Sequence, residues 1–154
     1  MPTFVTHNLT PELIQTAKNY FLTQGRSDFL QKPPQSICSR YLIAQKIKSI
    51  PEDNTFKHGD LRYSASHSGN LIVIAFDTKK IAIDIEKIKS KPTEYYHERT
   101  AKEALIKYLN LPLDEHENIQ VNACKGTTCT LEYKKATFQA KTFVKQGYVR
   151  AILN

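Results

Sequence analysis

No stretch of this sequence approaches the roughly 18 consecutive apolar residues that a membrane-spanning helix needs. Nor does the N-terminus carry the basic segment and apolar run of a secretory signal, so a soluble, cytoplasmic protein is expected. Tryptophan is absent. The chain nevertheless has 8 Tyr and 7 Phe, 40% hydrophobic and 24% charged residues, a composition that argues for a folded protein rather than a disordered one. Cysteine is scarce and odd in number: Cys38, Cys124 and Cys129. With no second ligand pair to accompany Cys124 and Cys129, a zinc site is not expected, and reduced, non-ligand thiols are. Acidic residues are the minority, 15 against 22 Lys and Arg, for a net charge of +7. That excess points to an acidic partner, whether nucleic acid, a phosphate-rich small molecule, an anionic membrane or an acidic protein, and charge alone does not choose among them. At 154 residues the chain fits one ordinary domain that can bury a core without disulfides, and it contains no internal repeat.

Thr10 followed by Pro11 reads as a helix start, a hydroxyl N-cap and then a proline whose missing N–H is not needed there. Leu13, Ile14, Ala17, Tyr20 and Phe21 then share one helical face. A second helix is predicted from near Ser36 to about Ile50, turning Ile37, Tyr41, Ala44 and Ile47 inward, with Pro51 as its stop. Leu71 to Phe76 is apolar and includes β-branched residues, the pattern of a buried strand. Asp77-Thr78-Lys79-Lys80 reads as a polar turn that joins it, as a hairpin, to a second strand from Ile81 to Glu86. There Ile81, Ile83 and Ile85 point one way and Ala82, Asp84 and Glu86 the other, so two carboxylates share a face. Lys87 to Tyr96 reads as a connection to a helix beginning near Glu98, with Ala101, Ala104, Leu105 and Tyr108 inward. Short strands follow from Ile119, with turns at Lys125-Gly126 and Gln146-Gly147 and a last buried strand from Tyr148 to Leu153.

Asp84 and Glu86, two apart on a strand, form with Glu103 on the next helix a candidate three-carboxylate site for a hard divalent cation. Mg²⁺ takes few carboxylates, keeps several waters and accepts substrate phosphate oxygens, so an open cluster suits a phosphate-bearing substrate. The same alternation also describes a strand whose polar face is simply wet. Glu103 and Lys107 lie four apart, which fits a surface ion pair as well as a lysine that stabilises a leaving phosphate. Ser64-Ala65-Ser66-His67-Ser68-Gly69 reads as a loop able to offer donors to phosphate, or as an ordinary Ser/Gly turn. No G-x-S-x-G elbow accompanies it, which disfavours serine-nucleophile chemistry. Arg40 is the best fork for phosphate in a basic region that includes Arg26, Lys32, Lys46 and Lys48. Basic residues among aromatics also fit a nucleic-acid-binding module, although no recognised RNA-binding motif is present.

In order along the chain, Ser66-His67-Ser68-Gly69, Ile83-Asp84-Ile85-Glu86-Lys87 and Lys102-Glu103-Ala104-Leu105-Ile106-Lys107 resemble the motifs of the 4'-phosphopantetheinyl transferases, particularly the type that activates surfactin synthetase. The resemblance implies an α+β fold of antiparallel sheets packed with helices, in one domain spanning 1–154. It also implies a condensed pseudo-two-fold arrangement of halves near 1–77 and 78–154. Mg²⁺, with Mn²⁺ as the alternative, would be held by Asp84, Glu86 and Glu103. Coenzyme A would bind as co-substrate through Arg40, Ser66, His67 and Lys102. Glu103 would accept the proton of a carrier serine, and Lys107 would assist the departing nucleotide phosphate. The implied reaction moves phosphopantetheine onto an apo acyl or peptidyl carrier protein, as in fatty acid biosynthesis, and releases adenosine 3',5'-bisphosphate. A monomer is expected, with no nucleic-acid or membrane partner. Two positions depart from the family pattern: Ala82, where glycine is usual, and Arg99, where an aromatic residue often stands. A nucleic-acid module and a metal-dependent phosphohydrolase using the same acids are the competing expectations.

Overall fold

In the computed structural model, which describes residues 1–51 and 57–154, two antiparallel sheets face each other and each carries helices on its outer side. The first sheet contains β1 (Thr3–Asn8), β2 (Lys57–His58), β3 (Leu61–Ser68) and β4 (Leu71–Asp77), in the order β1-β4-β3-β2, and is covered by α1 (Pro11–Thr23) and α2 (Pro34–Ile47). The second contains β5 (Ala82–Lys87), β6 (Gln120–Lys125), β7 (Thr128–Tyr133), β8 (Ala136–Lys145) and β9 (Tyr148–Leu153), in the order β5-β9-β8-β7-β6, and is covered by α3 (Thr93–Leu109). Both follow one winding. A first strand leads into helix, and a meander then brings the last strand back to pair antiparallel with the first.

α1 begins where its sequence signal lies: Thr10 Oγ1 accepts from Leu13 N at 3.2 Å, and Ala17 and Phe21 are fully buried. α2 starts at Pro34, ahead of Ser36, and ends at Ile47 because Lys48 adopts a left-handed conformation (φ 56) before Pro51 is reached. α3 starts at Thr93 rather than near Glu98, with Pro92 at the N-cap. Tyr96, assigned from sequence to the connection, is therefore helical and buried, and its hydroxyl accepts from Lys89 N at 3.0 Å.

The apolar run in β4 follows from burial on both faces. Ile72, Ile74 and Phe76 enter the core beneath α1 and α2, while Leu71, Val73 and Ala75 meet Ile81, Ile83 and Ile85 of the second sheet. The hairpin expected between these two segments does not form. β4 pairs with β1 and β3, whereas β5 pairs with β9, so residues 78–81 carry the chain from one sheet to the other. Asp77 Oδ1 accepts from Thr78 N at 2.7 Å and Lys79 N at 3.3 Å, which fixes the bend by side-chain bonding instead of a strand ladder. Nor is Ser64 to Gly69 a loop. Most of it is β3, and the actual hairpin is β3–β4, closed over Gly69-Asn70 with Gly69 at φ +55.

The cysteines also differ from expectation. The two-residue turn between β6 and β7 sets Cys124 directly opposite Cys129, and they are joined as a disulfide with Cα atoms 4.0 Å apart; Cys38 is a free, buried thiol. Among the described residues, no helix is long and apolar enough to cross a membrane.

Candidate active site

β5 is an edge strand of its sheet, so the backbone N–H groups on its outer side need partners from elsewhere. They find them on β3 of the other sheet, where serine recurs at every second position. Ser64 Oγ accepts from Ile83 N at 3.0 Å, Ser66 Oγ from Ile85 N at 3.2 Å, and Ser68 Oγ from Lys87 N at 3.0 Å. A period of two on β3 meets a period of two on β5, and hydroxyls do the work of a neighbouring strand. The same hydroxyls reach the carboxylates in between. Ser66 donates to Asp84 Oδ1 at 2.9 Å and Ser68 to Glu86 Oε2 at 3.4 Å.

Asp84 and Glu86 do share a face, but α3 covers it and leaves Asp84 only 3% exposed. From α3, the Lys107 ammonium donates to Asp84 Oδ1 at 2.7 Å, Ile83 O at 3.1 Å and Ala65 O at 3.4 Å, which ties β3, β5 and α3 together. Two turns earlier on the helix, Arg99 Nε lies 3.1 Å from Glu103 Oε1 and 3.3 Å from Glu86 Oε1. The surface pair expected from the Glu103–Lys107 spacing is thus exchanged for two others: Glu103 turns back to Arg99, and Lys107 crosses to Asp84. Burial explains the choice, because an enclosed carboxylate gains far more from an adjacent cation than a partly solvated one. The Glu103 pKa is raised, first by burial and then by the Asp84 charge, with Glu86 adding to the rise while Arg99 and Lys107 oppose it.

Asp84 Oδ2 is buried and has no hydrogen-bond partner among the described residues. Such an orphaned oxygen costs on the order of 1–3 kcal/mol or more, and a hard cation is a species that would relieve it. The all-carboxylate donor set of Asp84, Glu86 and Glu103 fits Mg²⁺ or Mn²⁺ better than a soft metal. As placed, the three do not close into a complete shell: among the described residues, no three His, Cys, Asp or Glu side chains form a ready metal site. Arg99 holds Glu86 and Glu103 in ion pairs instead.

The other predicted site residues are distributed around this cluster. Ser66 is buried, with its hydroxyl engaged by Asp84 and Ile85. His67 is exposed outward, yet the protein around its inner edge and the Lys107 cation lower its pKa against a smaller pull from Asp84. Lys102 lines a 610 Å³ cavity beside α3 together with Tyr95, Arg99, Glu103 and His116. Arg40 is not brought among the acids. It lies on α2 with its guanidinium carbon 5.1 Å from the centroid of Phe29, a ring that also attracts Arg26 at 4.2 Å.

Sequence reasoning missed two contributors. On the other side of Lys107, a 360 Å³ cavity is lined by Lys57, Arg62, Lys80 and Lys107 with no carboxylate in its described wall; Lys79-Lys80 was its only sequence signal. The serine ladder was also missed, although its alternation from Ser64 to Ser68 matched that of Asp84 and Glu86.

No protein-family profile matches the chain. A Bacillus subtilis protein is 38% identical to it over 84 residues, a match that takes in 36% of this chain and 38% of that protein. That relative is named 4'-phosphopantetheinyl transferase. The partial similarity supports the superfamily whose motifs the sequence resembles, and two antiparallel sheets with helices are compatible with its fold. The matched region covers well under half of the relative's length.

Proposed function

We propose that the chain is a Mg²⁺-dependent 4'-phosphopantetheinyl transferase that moves 4'-phosphopantetheine from coenzyme A to a serine of an apo acyl or peptidyl carrier protein, releasing adenosine 3',5'-bisphosphate. The reading is carried by Asp84, whose Oδ2 is buried and unpartnered among the described residues, beside Glu86 and Glu103, which share the Arg99 guanidinium. The partial match to a named transferase gives that cluster its chemical context.

Asp84, Glu86 and Glu103 would hold Mg²⁺, or Mn²⁺ in its place, once Arg99 releases the two glutamates. When bound, the ion supplies charge neutralisation at the pyrophosphate. Ser66 and Lys107 fix the Asp84 carboxylate before any ligand arrives, which reduces the reorganisation needed at the reacting centre. Glu103 takes the proton of the carrier serine as the serine oxygen bonds to the phosphorus bearing pantetheine. The bond from that phosphorus to the bridging oxygen breaks, and the electron pair leaves with the nucleotide. Lys107 faces the acids on one side and the basic groove of Lys57, Arg62 and Lys80 on the other, a position suited to steadying the departing phosphate. Ser66, His67 and Lys102 contribute to coenzyme binding around the cluster, and Arg40 supplies a more distant cation for the nucleotide.

The repeated winding of the two sheets supports a pseudo-two-fold arrangement, and the proposed enzyme is a cytoplasmic monomer of the surfactin-synthetase-activating type. Its +7 charge suits an acidic carrier. Incubation with apo carrier proteins, coenzyme A and Mg²⁺, followed by intact-mass analysis, tests the reading. A phosphopantetheine adduct is expected on at least one carrier; no adduct across acyl and peptidyl carriers, with the enzyme folded, would overturn it.

A further inference from the structure

We propose that the cleft between β1 and the β8–β9 pair binds a small organic oxyanion, a carboxylate or phosphate on a short apolar body, through the guanidinium of Arg150. The cavity is bounded by β1 and β8 and lies one strand over from β5, where Arg150 is the register partner of Ile85; the proposal is independent of the transferase reading.

Alternation along β9 sends Ala151 and Leu153 into the core beneath α3, and turns Tyr148, Arg150 and Ile152 toward the first sheet. Arg150 stands between Ile85 of β5 and Phe143 of β8 in the strand register, and only 5% of it is exposed. Its Nε and Nη2 have no hydrogen-bond partner among the described residues. Those two nitrogens form one edge of the guanidinium, the edge that engages a carboxylate or phosphate with two parallel N–H bonds.

The surroundings do not neutralise the charge. A 220 Å³ cavity adjoins Arg150, and its wall includes Phe4, Thr6, Ile83, Phe143 and Lys145 but no described carboxylate. The second charge there, on Lys145, has the same sign. Burial alone lowers the Arg150 pKa, with no acidic side chain drawing it back. Enclosing an uncompensated cation is strongly unfavourable, so an oxyanion that reaches the guanidinium from the cavity is the chemical complement of this arrangement. Phe4, Ile83 and Phe143 provide apolar walls for a short body, and Thr6 offers a hydroxyl. At 220 Å³ the cavity falls below the roughly 300–1,000 Å³ typical of sites for larger ligands, a size that suits a short organic anion.

The test follows the Arg150 Nε–H signal by NMR in the full chain labelled with ¹⁵N-arginine, the signal being assigned by its loss in Arg150→Lys. Butyrate and inorganic phosphate are titrated separately at matched ionic strength, with chloride and butanol as controls. A saturable shift with butyrate or phosphate, but with neither control, is expected, together with a rise in Tm that follows mass action. Arg150→Lys should raise the Kd fitted from the Tm response about tenfold or more, and Arg150→Met should abolish the response. The stronger of the two anions identifies the head group as carboxylate or phosphate. No shift with either anion, an equal shift with chloride, or an undiminished Tm response in Arg150→Met would overturn the proposal. Should Arg150→Met fail to fold, the wild-type titration and Arg150→Lys still decide it.

Discussion

Two buried charges sit on neighbouring strands of the second sheet, Asp84 on β5 and Arg150 on β9, and they are treated differently. Asp84 has Lys107 at 2.7 Å and Ser66 at 2.9 Å, and only its second oxygen lacks a partner among the described residues. Arg150, equally enclosed, has apolar walls and a neighbouring lysine. The difference teaches where the fold supplies its own compensation and where it leaves a buried group without a partner among the described residues. At Asp84, three elements converge to hold one carboxylate oxygen and leave the other without a partner among the described residues. At Arg150 a whole side of the guanidinium is left.

The largest expected effect is at the acid cluster. Glu103→Gln should slow phosphopantetheine transfer by about 10²–10⁴-fold while circular dichroism and Tm stay near wild type; near-normal turnover would remove Glu103 from the role of base. Next comes Lys107→Met, which strands the buried Asp84 carboxylate and should cost about 3–5 kcal/mol in urea unfolding. Arg150→Met should behave oppositely in chloride buffer, either neutral or stabilising by up to about 4 kcal/mol, because it removes a charge the fold does not compensate. Similar losses in these two variants would erase the distinction between the two charges. Ser66→Ala should cost about 1–3 kcal/mol by leaving Ile85 N–H buried without its partner. Ser68→Ala, at the more open end of the ladder, should cost about 0.5–1.5 kcal/mol, and equal losses would show that burial does not grade the ladder.

The smallest effect concerns the crossing between sheets. Backbone N–H groups of Lys79 and, secondarily, Thr78 hold the Asp77 carboxyl below its ordinary value of 3.8, against the opposing effect of burial. A lowered folded-state pKa contributes stability that is present above the unfolded value and lost as pH falls through the folded one. Asp77→Asn should therefore flatten the part of the acid-side Tm profile that begins near pH 3.8 and continues downward. An unchanged profile would show that this bend does not contribute.

Much of the local structure was legible because it is written in short-range pattern. The Thr10-Pro11 cap, the doubly buried run of β4 and the alternation of β5 all depend on neighbours along the chain. Pairing was not legible. Asp77 to Lys80 says that the chain bends, but the same polar residues serve a hairpin or a crossing, and only the core on both faces of β4 decides between them. The disulfide likewise depends on the β6–β7 register. At the site, spacing made Asp84, Glu86 and Glu103 candidates alongside a simply wet strand face, and it offered Glu103 with Lys107 as an ion pair because burial of Asp84 by α3 is a tertiary fact. Arg150 had no signal: an arginine in an otherwise apolar strand does not say what lies across the interface.

The most direct measurement of the acid cluster is carrier modification by intact mass, in wild type with Mg²⁺, in wild type with chelator, and in Asp84→Asn with Mg²⁺. The expected result is an adduct in wild type that depends on Mg²⁺ and forms at least about a hundredfold more slowly in a folded Asp84→Asn variant. Modification at the wild-type rate by Asp84→Asn, or by wild type in chelator, would contradict a metal-assisted transferase centred on Asp84.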